Sequence, residues 1–273
     1  MRQLVLEQFP DKKGLISLSG EKFHYLRQVL RIKTGSMVNV RLPDGSLKKT
    51  TVAKISDEKK TVLLQISGDG MTEGILEGQK NLTRGVQPEN IGNSAFESGI
   101  EYTLLQFLPR PQKFELIVRQ ASECGICNIV PIFGQYCEKA SLSAMGENKF
   151  LRLSKIVREA RQQSGSPVDT KIFPLMTLEE AVRKFSSEAL CLVLSERKDY
   201  SENLFEILKK NLSSIKKICI AVGAEGGISP EEISFMREKG LFHPIHFAVN
   251  ILRCETASLY GIAAVQSAVT GCF

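Results

Sequence analysis

The sequence predicts an α/β protein: a small β-rich module followed by a larger parallel sheet covered by helices on both faces. Three observations predict it. Residues 1–67 alternate apolar and polar positions with the period of strands. From residue 101 onward, short β-branched runs alternate with helical segments, as in a parallel sheet built from strand–helix units. Between the two, residues 68–100 hold seven of the chain's 21 glycines and no periodicity, which reads as a linker or insertion.

In the first module, strands are expected at 4–6, 15–18, 37–42, 50–55 and 61–66, with a turn at Pro43-Asp44-Gly45 and a polar connection at 57–60. One helix, 21–30, carries Phe23, Leu26 and Leu30 at helical spacing. It is expected to project Arg27 and Arg31, four apart, from one face. Short strands with one helix suggest a small β-barrel. In the second module, strands are expected at 102–108, 128–133, 190–194, 218–222 and 245–249. Helices are expected at 112–123, 147–163, 178–185, 201–212, 230–239 and 255–269.

A chain of 273 residues, 42% hydrophobic and 24% charged, has the composition of a soluble globular protein. No apolar run approaches the ~20 residues of a membrane helix. Seven cysteines without a secretory signal point to the reducing cytoplasm. Residues 1–67 hold 13 Lys+Arg against 6 Asp+Glu, and the remainder holds 23 against 24. The net positive charge of +6 therefore belongs to the first module. That suits a nucleic-acid handle, and a lysine-rich solvated surface is the alternative.

Residues 217–257 carry the chemistry. An apolar run, Ile218 to Val222, leads into Gly223-Ala224-Glu225-Gly226-Gly227, then Ser229-Pro230-Glu231-Glu232. Strand, glycine loop and capped helix follow in order, with a capping box and Pro at the first helical position. The loop lacks the Gly-Lys-Ser/Thr of a phosphate loop and the Gly-x-Gly-x-x-Gly of a dinucleotide site. Glu225 would also repel a phosphate. By spacing alone, a tight structural turn and a ligand loop stand level.

The residues decide further. Gly223–Gly227 with Ile251-Leu252-Arg253-Cys254-Glu255-Thr256-Ala257 resembles the paired motifs of the RsmE family, bacterial rRNA methyltransferases of the SPOUT, or α/β-knot, superfamily. Ala224 stands where the family has proline, leaving the loop less rigid, and Cys254 stands where it has threonine. Phe23 to Gly35 resembles the His…Val-Leu-Arg…Gly signature of the family's PUA-like barrel, although His24 itself reads as a packing residue. Ala121-Ser122-Glu123-Cys124-Gly125 and Ile129-Val130-Pro131 match another stretch. Arg161-Gln162-Gln163-Ser164-Gly165 is similar to the family's Glu-Gln-Ser-Gly, with Gln162 in place of the acid.

The resemblance implies a PUA-like β-barrel over 1–67 and a SPOUT trefoil-knot parallel α/β methyltransferase domain over 101–273. It implies S-adenosyl-L-methionine as cofactor. The cofactor would lie against Leu194, Ser195 and Glu196, against Gly223, Glu225, Gly226 and Gly227, and against Ile251, Leu252, Arg253, Glu255, Thr256 and Ala257. It further implies a homodimer that needs no metal and acts in the cytoplasm on 16S rRNA of the small ribosomal subunit. Arg27, Arg31, Lys113, Arg161 and Gln163 are the expected RNA contacts. The family's reaction methylates N3 of a uridine in the decoding region. Uridine N3–H is a weak acid, so a proton must leave or an anion must be stabilised. Glu225 is assigned the proton or the orientation of the base, and Arg253 the charge on a uracil oxygen. An Arg253 paired with Glu255 or Glu225 and merely fixing the loop is the alternative.

Other motifs read as structure. Cys124-Gly125-Ile126-Cys127 has no second pair to complete a metal site, and Gly125 suits a helix end. His243 and His246 flank Pro244 and have no ligand partner in the sequence. Lys149, Arg152, Lys155, Arg158 and Arg161 spiral around the 147–163 helix as a solvated surface. Rival functions are an inactive RNA-binding protein of the same fold, methylation of another RNA position, and a small-molecule α/β enzyme with a barrel appendage.

Overall fold

A computed structural model describes residues 3–67, 99–143, 145–198, 200–211 and 215–272. The chain divides into two compact units, Met1–Asn90 and Ile91–Phe273, each with its own hydrophobic core. Of the expected linker, residues 68–98 lie outside the described residues.

The first unit contains β1 (Leu4–Val5), β2 (Leu15–Leu18), α1 (Gly20–His24), β3 (Met37–Arg41), β4 (Leu47–Ser56) and β5 (Thr61–Ile66). The strands form one curled, mixed sheet in the order β1-β3-β4-β5-β2, a half-barrel. β1 runs parallel to β3 and the other pairs are antiparallel. Leu4, Ile16, Leu26, Val40, Val52, Val62 and Leu64 fill its concave side. An irregularity between Val52 and Lys54 interrupts the β4–β5 register, the kind of bulge that bends a strand.

The helix expected over 21–30 is α1 followed by a π-helical turn, Tyr25–Val29. Arg31 lies beyond it in the left-handed region, φ 51°, so Arg27 and Arg31 do not share a helix face. Arg27 is instead committed to the fold. Its Nε and Nη2 donate to Asp57 Oδ1 and Oδ2 at 3.1 and 3.0 Å, and its Nη1 donates to the Ile32 carbonyl at 3.1 Å. This fork ties the helical turn to the β4–β5 hairpin.

The second unit runs β6 (Glu101–Phe107), α2 (Pro111–Glu123), β7 (Asn128–Ile132), α3 (Lys139–Ser143), α4 (Glu147–Ser164), β8 (Lys171–Ile172) and α5 (Leu178–Phe185). It continues with β9 (Leu190–Leu194), α6 (Leu204–Asn211), β10 (Lys217–Val222), α7 (Pro230–Gly240), β11 (His243–Ile245) and α8 (Cys254–Cys272). All six strands are parallel, in the order β11-β9-β10-β6-β7-β8. β7 is buried at every position and β10 at all but its first, which requires cover on both faces. α4, α2, α8 and α6 pack side by side as one helical layer, and α5 packs with α7.

The strand expected over 245–249 starts two residues early and stops at Ile245. The Ser195 N–H donates to the Ile245 carbonyl at 2.9 Å, and the chain then turns away from the sheet. β8 and α3, two and five residues long, are too short for periodicity to reveal. From β6 the chain works outward through β7 to β8, then crosses to the other side for β9, β10 and β11. The neighbours β6 and β10 thus flank the point where winding reverses, the usual place for a ligand crevice.

The α2–α4 contact is partly electrostatic. Glu115 on α2 pairs with Lys149 and with Arg152, the latter at 2.7 Å. Burial alone would raise the Glu115 carboxyl, but the hydrogen bonds and charges of Lys149 and Arg152 outweigh it and hold the group below the ordinary glutamate range. A carboxyl depressed by folding adds stability above its unfolded-state pKa, and that stability is lost as pH falls through the folded value. Urea midpoints measured against pH are therefore expected to drop less steeply in acid for Glu115→Gln than for the wild type.

Candidate functional site

A cavity of about 390 Å³ opens at the carboxyl ends of β9, β10 and β11. Its walls come from the segment after β9, the glycine loop after β10, the 246–252 segment after β11, and the first turns of α8. The glycine loop is a tight turn closed by the Gly227 N–H donating to the Ala224 carbonyl at 3.0 Å. Gly227 has φ 78°, and a Cβ on Gly223 would lie 2.8 Å from the Gly227 carbonyl carbon. Both positions therefore require glycine. Ala224 is buried, where a small side chain fits.

The helix after the loop starts with the expected capping box, Ser229 with Glu232. Glu232 also reaches outward, its Oε1 accepting from the Gln135 N–H at 2.7 Å. The cap thus fixes the segment that follows β7 as well as its own helix.

Gln106, fully buried near the end of β6, joins the remaining parts. Its Nε2 donates to the carbonyls of Phe107, Val222 and Gly223 at 2.9, 3.3 and 3.1 Å. Its Oε1 accepts from Ser258 Oγ at 2.6 Å, and Ser258 lies in the second turn of α8. One amide thus binds β6, the exit of β10, the start of the glycine loop and the last helix.

Beside the cavity lies a charged cluster. Lys113, in the first turn of α2, places Nζ 3.5 Å from Glu225 Oε1 and 3.3 Å from Glu255 Oε2. The Arg110 N–H donates to Glu225 Oε1 at 3.2 Å, while the Arg110 guanidinium is bound to Glu138 at 2.7 Å. Partial burial tends to raise the Glu255 carboxyl, and its own N–H, Cys254 and Lys113 more than offset that, leaving it low. The Cys254 thiol donates to Glu255 Oε2 at 3.3 Å. It is pushed up to about 12, first by burial, then by that hydrogen bond and the charge of Glu225. It is therefore a neutral thiol at physiological pH, not a nucleophile.

Of the residues expected at the cofactor, Leu194, Ser195, Glu196, Gly223, Glu225, Gly226, Gly227, Ile251, Leu252 and Ala257 line this cavity. Arg253, Glu255 and Thr256 do not line it. Arg253 and Thr256 are exposed, and Glu255 turns to Lys113. The alternative in which Arg253 locks the loop through Glu225 or Glu255 is not what the structure has, because Lys113 takes both carboxylates.

Among the expected RNA contacts, Arg31 and Gln163 are exposed. Arg161 is not available for that role. It is buried, donating to the Pro167 carbonyl at 2.9 Å and pairing with Asp169 at 3.1 Å, so it folds the segment after α4. Cys124 and Cys127 are half-buried thiols that burial pushes up, and no metal-binding group occurs among the described residues.

Sequence reading missed Gln106, Ser258, Arg110 and His246, whose Nδ1 lies 3.2 Å from the Ser195 carbonyl. A signal existed for one of them: Gln106 is a lone amide in the otherwise apolar Leu104-Leu105-Gln106-Phe107-Leu108.

A family model described as an RNA methyltransferase domain matches residues 96–266. Ribosomal RNA small subunit methyltransferase E 2 of Borreliella burgdorferi is 27% identical over 96% of each chain. Ribosomal RNA small subunit methyltransferase E of Bacillus subtilis is 22% identical over 94% of this chain and 91% of its own. The structure of a ribosomal RNA small subunit methyltransferase E from Neisseria gonorrhoeae bound to S-adenosyl methionine is similar at a TM-score of 0.71. It is 22% identical and matches over 98% of this chain and 97% of that one. That likeness shows a shared fold, half-barrel and parallel α/β sheet together.

Gln106→Met keeps side-chain length and removes every hydrogen bond of the amide. Leaving buried carbonyls unpaired costs about 1–3 kcal/mol. The expected result is a lower unfolding midpoint, with faster amide hydrogen exchange concentrated in 223–227 and 254–258. Uniformly faster exchange across the sheet would show that Gln106 supports the core and not the site.

Proposed function

The chain belongs to the RNA methyltransferase family, among its RsmE small-subunit rRNA members, and on that premise we propose that it methylates 16S rRNA at N3 of a uridine with S-adenosylmethionine. The observation that carries the reading is the convergence of the glycine loop and the 251–257 turn on one cavity at the carboxyl ends of parallel strands.

The residues present fit this cofactor. Ile228, Ile233 and Leu252 offer apolar wall for a flat purine. The glycine loop lets a ligand approach main chain without a Cβ between. Glu196 reaches toward Gly227, its Oε2 lying 3.7 Å from where a Cβ would stand, and a carboxylate there suits ribose hydroxyls. When bound, S-adenosylmethionine supplies the methyl group and retains on sulfur the electron pair of the broken bond.

The chain supplies the rest. Glu225, a carboxylate on the cavity wall, accepts the N3 proton or orients the base. Arg253 makes no ion pair among the described residues and is exposed, so its guanidinium is free to meet charge borne by the RNA. Arg31 and Gln163 remain the best-placed of the other expected RNA contacts. The exposed face of α8 at Thr256, Tyr260, Ala263, Ser267 and Thr270 is uncharged, which suits a second copy and the homodimer we propose. No helix among the described residues is long and apolar enough to cross a membrane, and we assign the chain to the cytoplasm with the ribosome.

The test is transfer of labelled methyl to small ribosomal subunits lacking the modification, with mass spectrometry locating the product. Calorimetry with S-adenosylmethionine runs alongside. Binding without transfer would leave the inactive RNA-binding protein as the reading. Arg253→Lys is expected to keep cofactor affinity and lose transfer on the order of a hundredfold, the effect of removing one donor to transition-state charge once RNA has fixed the guanidinium.

A further inference from the structure

Lys113 is a cation where its helix disfavours one. The first turn of α2 presents unpaired N–H groups with partial positive charge, and this turn contains no acidic residue. Residues that break a local rule of this kind concentrate at functional sites. Two carboxylates from elsewhere compensate: Glu225 from the glycine loop and Glu255 from the first turn of α8.

The distances of 3.5 and 3.3 Å are long beside the 2.7–2.9 Å typical of a tight charge-assisted bond, so the ammonium sits between partners and is not saturated by either. Its side chain is 27% exposed, as is that of Glu225. Glu225 and Cys254 both form part of the cavity wall, so the cluster stands where a substrate would meet the cavity. Among the described residues Glu138, itself held by Arg110, also faces Lys113.

A uracil edge presents an N3–H donor between two carbonyl acceptors. Reading it requires an acceptor with a donor at its side, and Glu225 Oε1 with Lys113 Nζ is such a pair. Cytosine presents an unprotonated N3, so it would set a lone pair against Glu225, and where Lys113 faces the C4 side it would also meet an amino N–H in place of a carbonyl. Such mismatches leave polar groups unpaired, the strongest form of rejection available to a site.

We propose that Lys113 is a catalytic residue that donates to the carbonyl beside N3 of the target uracil and holds the charge developing there as Glu225 takes the N3 proton. The proton passes to the carboxylate, and the N–H electron pair stays on the ring, shared between N3 and that oxygen, until it forms the bond to the methyl carbon. The inference rests on the cavity being the methyl-donor site of an N3-uridine methyltransferase. Partial burial pulls the Lys113 ammonium down, but the carboxylates of Glu255 and Glu225 offset it and leave it raised, so it remains charged in mildly alkaline solution.

The test is single-turnover methyl transfer by the full chain to unmethylated small ribosomal subunits from neutral to alkaline pH, with S-adenosylmethionine affinity measured in parallel. For Lys113→Met the expected result is unchanged affinity and a loss on the order of a hundredfold at neutral pH. The deficit should shrink as pH rises, because the base then ionises without help. Lys113→Arg should recover most of the rate, and Lys113→Gln replaces the Met variant if that fails to fold. A deficit equal at every pH, or a rate like wild type, overturns the proposal while leaving the methyltransferase reading intact. Weakened cofactor affinity that accounts for the whole loss does the same. A wild-type chain that binds the cofactor yet methylates no small-subunit RNA overturns both.

Discussion

A single buried carboxamide holds the ligand side of the sheet together. Where winding reverses, the β6–β10 pairing ends at Gln106 and Val222 and the glycine loop leaves the ladder, with main-chain carbonyls still to be satisfied. Those carbonyls need donors, and Gln106 supplies them for Phe107, Val222 and Gly223. Its remaining oxygen takes the Ser258 hydroxyl, so satisfying the sheet also docks the last helix. A hydrocarbon at 106 would pack as well and leave three carbonyls without this donor, so packing alone does not explain the residue.

Around that clasp the charges are arranged by helix ends. α2 and α8 bring their first turns to the same wall, which favours carboxylates there, and Glu225 and Glu255 occupy it. Two carboxylates at one place repel, and Lys113 relieves them. Burial first, and then the same carboxylates, keep Cys254 a thiol, so a cysteine where related motifs have threonine stays a neutral, weakly polar group. The cluster is partly exposed, so it is sensitive to whatever binds beside it.

The sheet was legible because burial on both faces writes long apolar runs, and all of β6, β7, β9 and β10 were found from them. The capping box at Ser229 was legible because it is a local rule. What failed was local reading of long-range partners. Arg161 looked like an RNA contact within its motif, but Asp169 and the Pro167 carbonyl lie beyond it and claim the side chain. Arg27 and Arg31 looked like one face, but Arg31 itself lies past the helical turn in the left-handed region. Lys113 carried no sign in the sequence that residues 225 and 255 would converge on it. Ten of the residues assigned to the cofactor do share a cavity. That grouping came from resemblance to paired motifs, since spacing alone left the glycine loop undecided.

The clasp also spans the chain in sequence. Gln106 and Ser258 are 152 residues apart, and Gln106 and Gly223 are 117 apart. Contacts of such separation must absorb the entropy of closing long loops before they return any stability. On a ribosome that is still making this chain, Gln106 could cover the carbonyls of the glycine loop once residue 223 had emerged, but its own oxygen would wait for the hydroxyl of Ser258. Cys254, Ala257 and Tyr260 form part of the cavity wall, so no copy synthesised short of them would hold it in finished form.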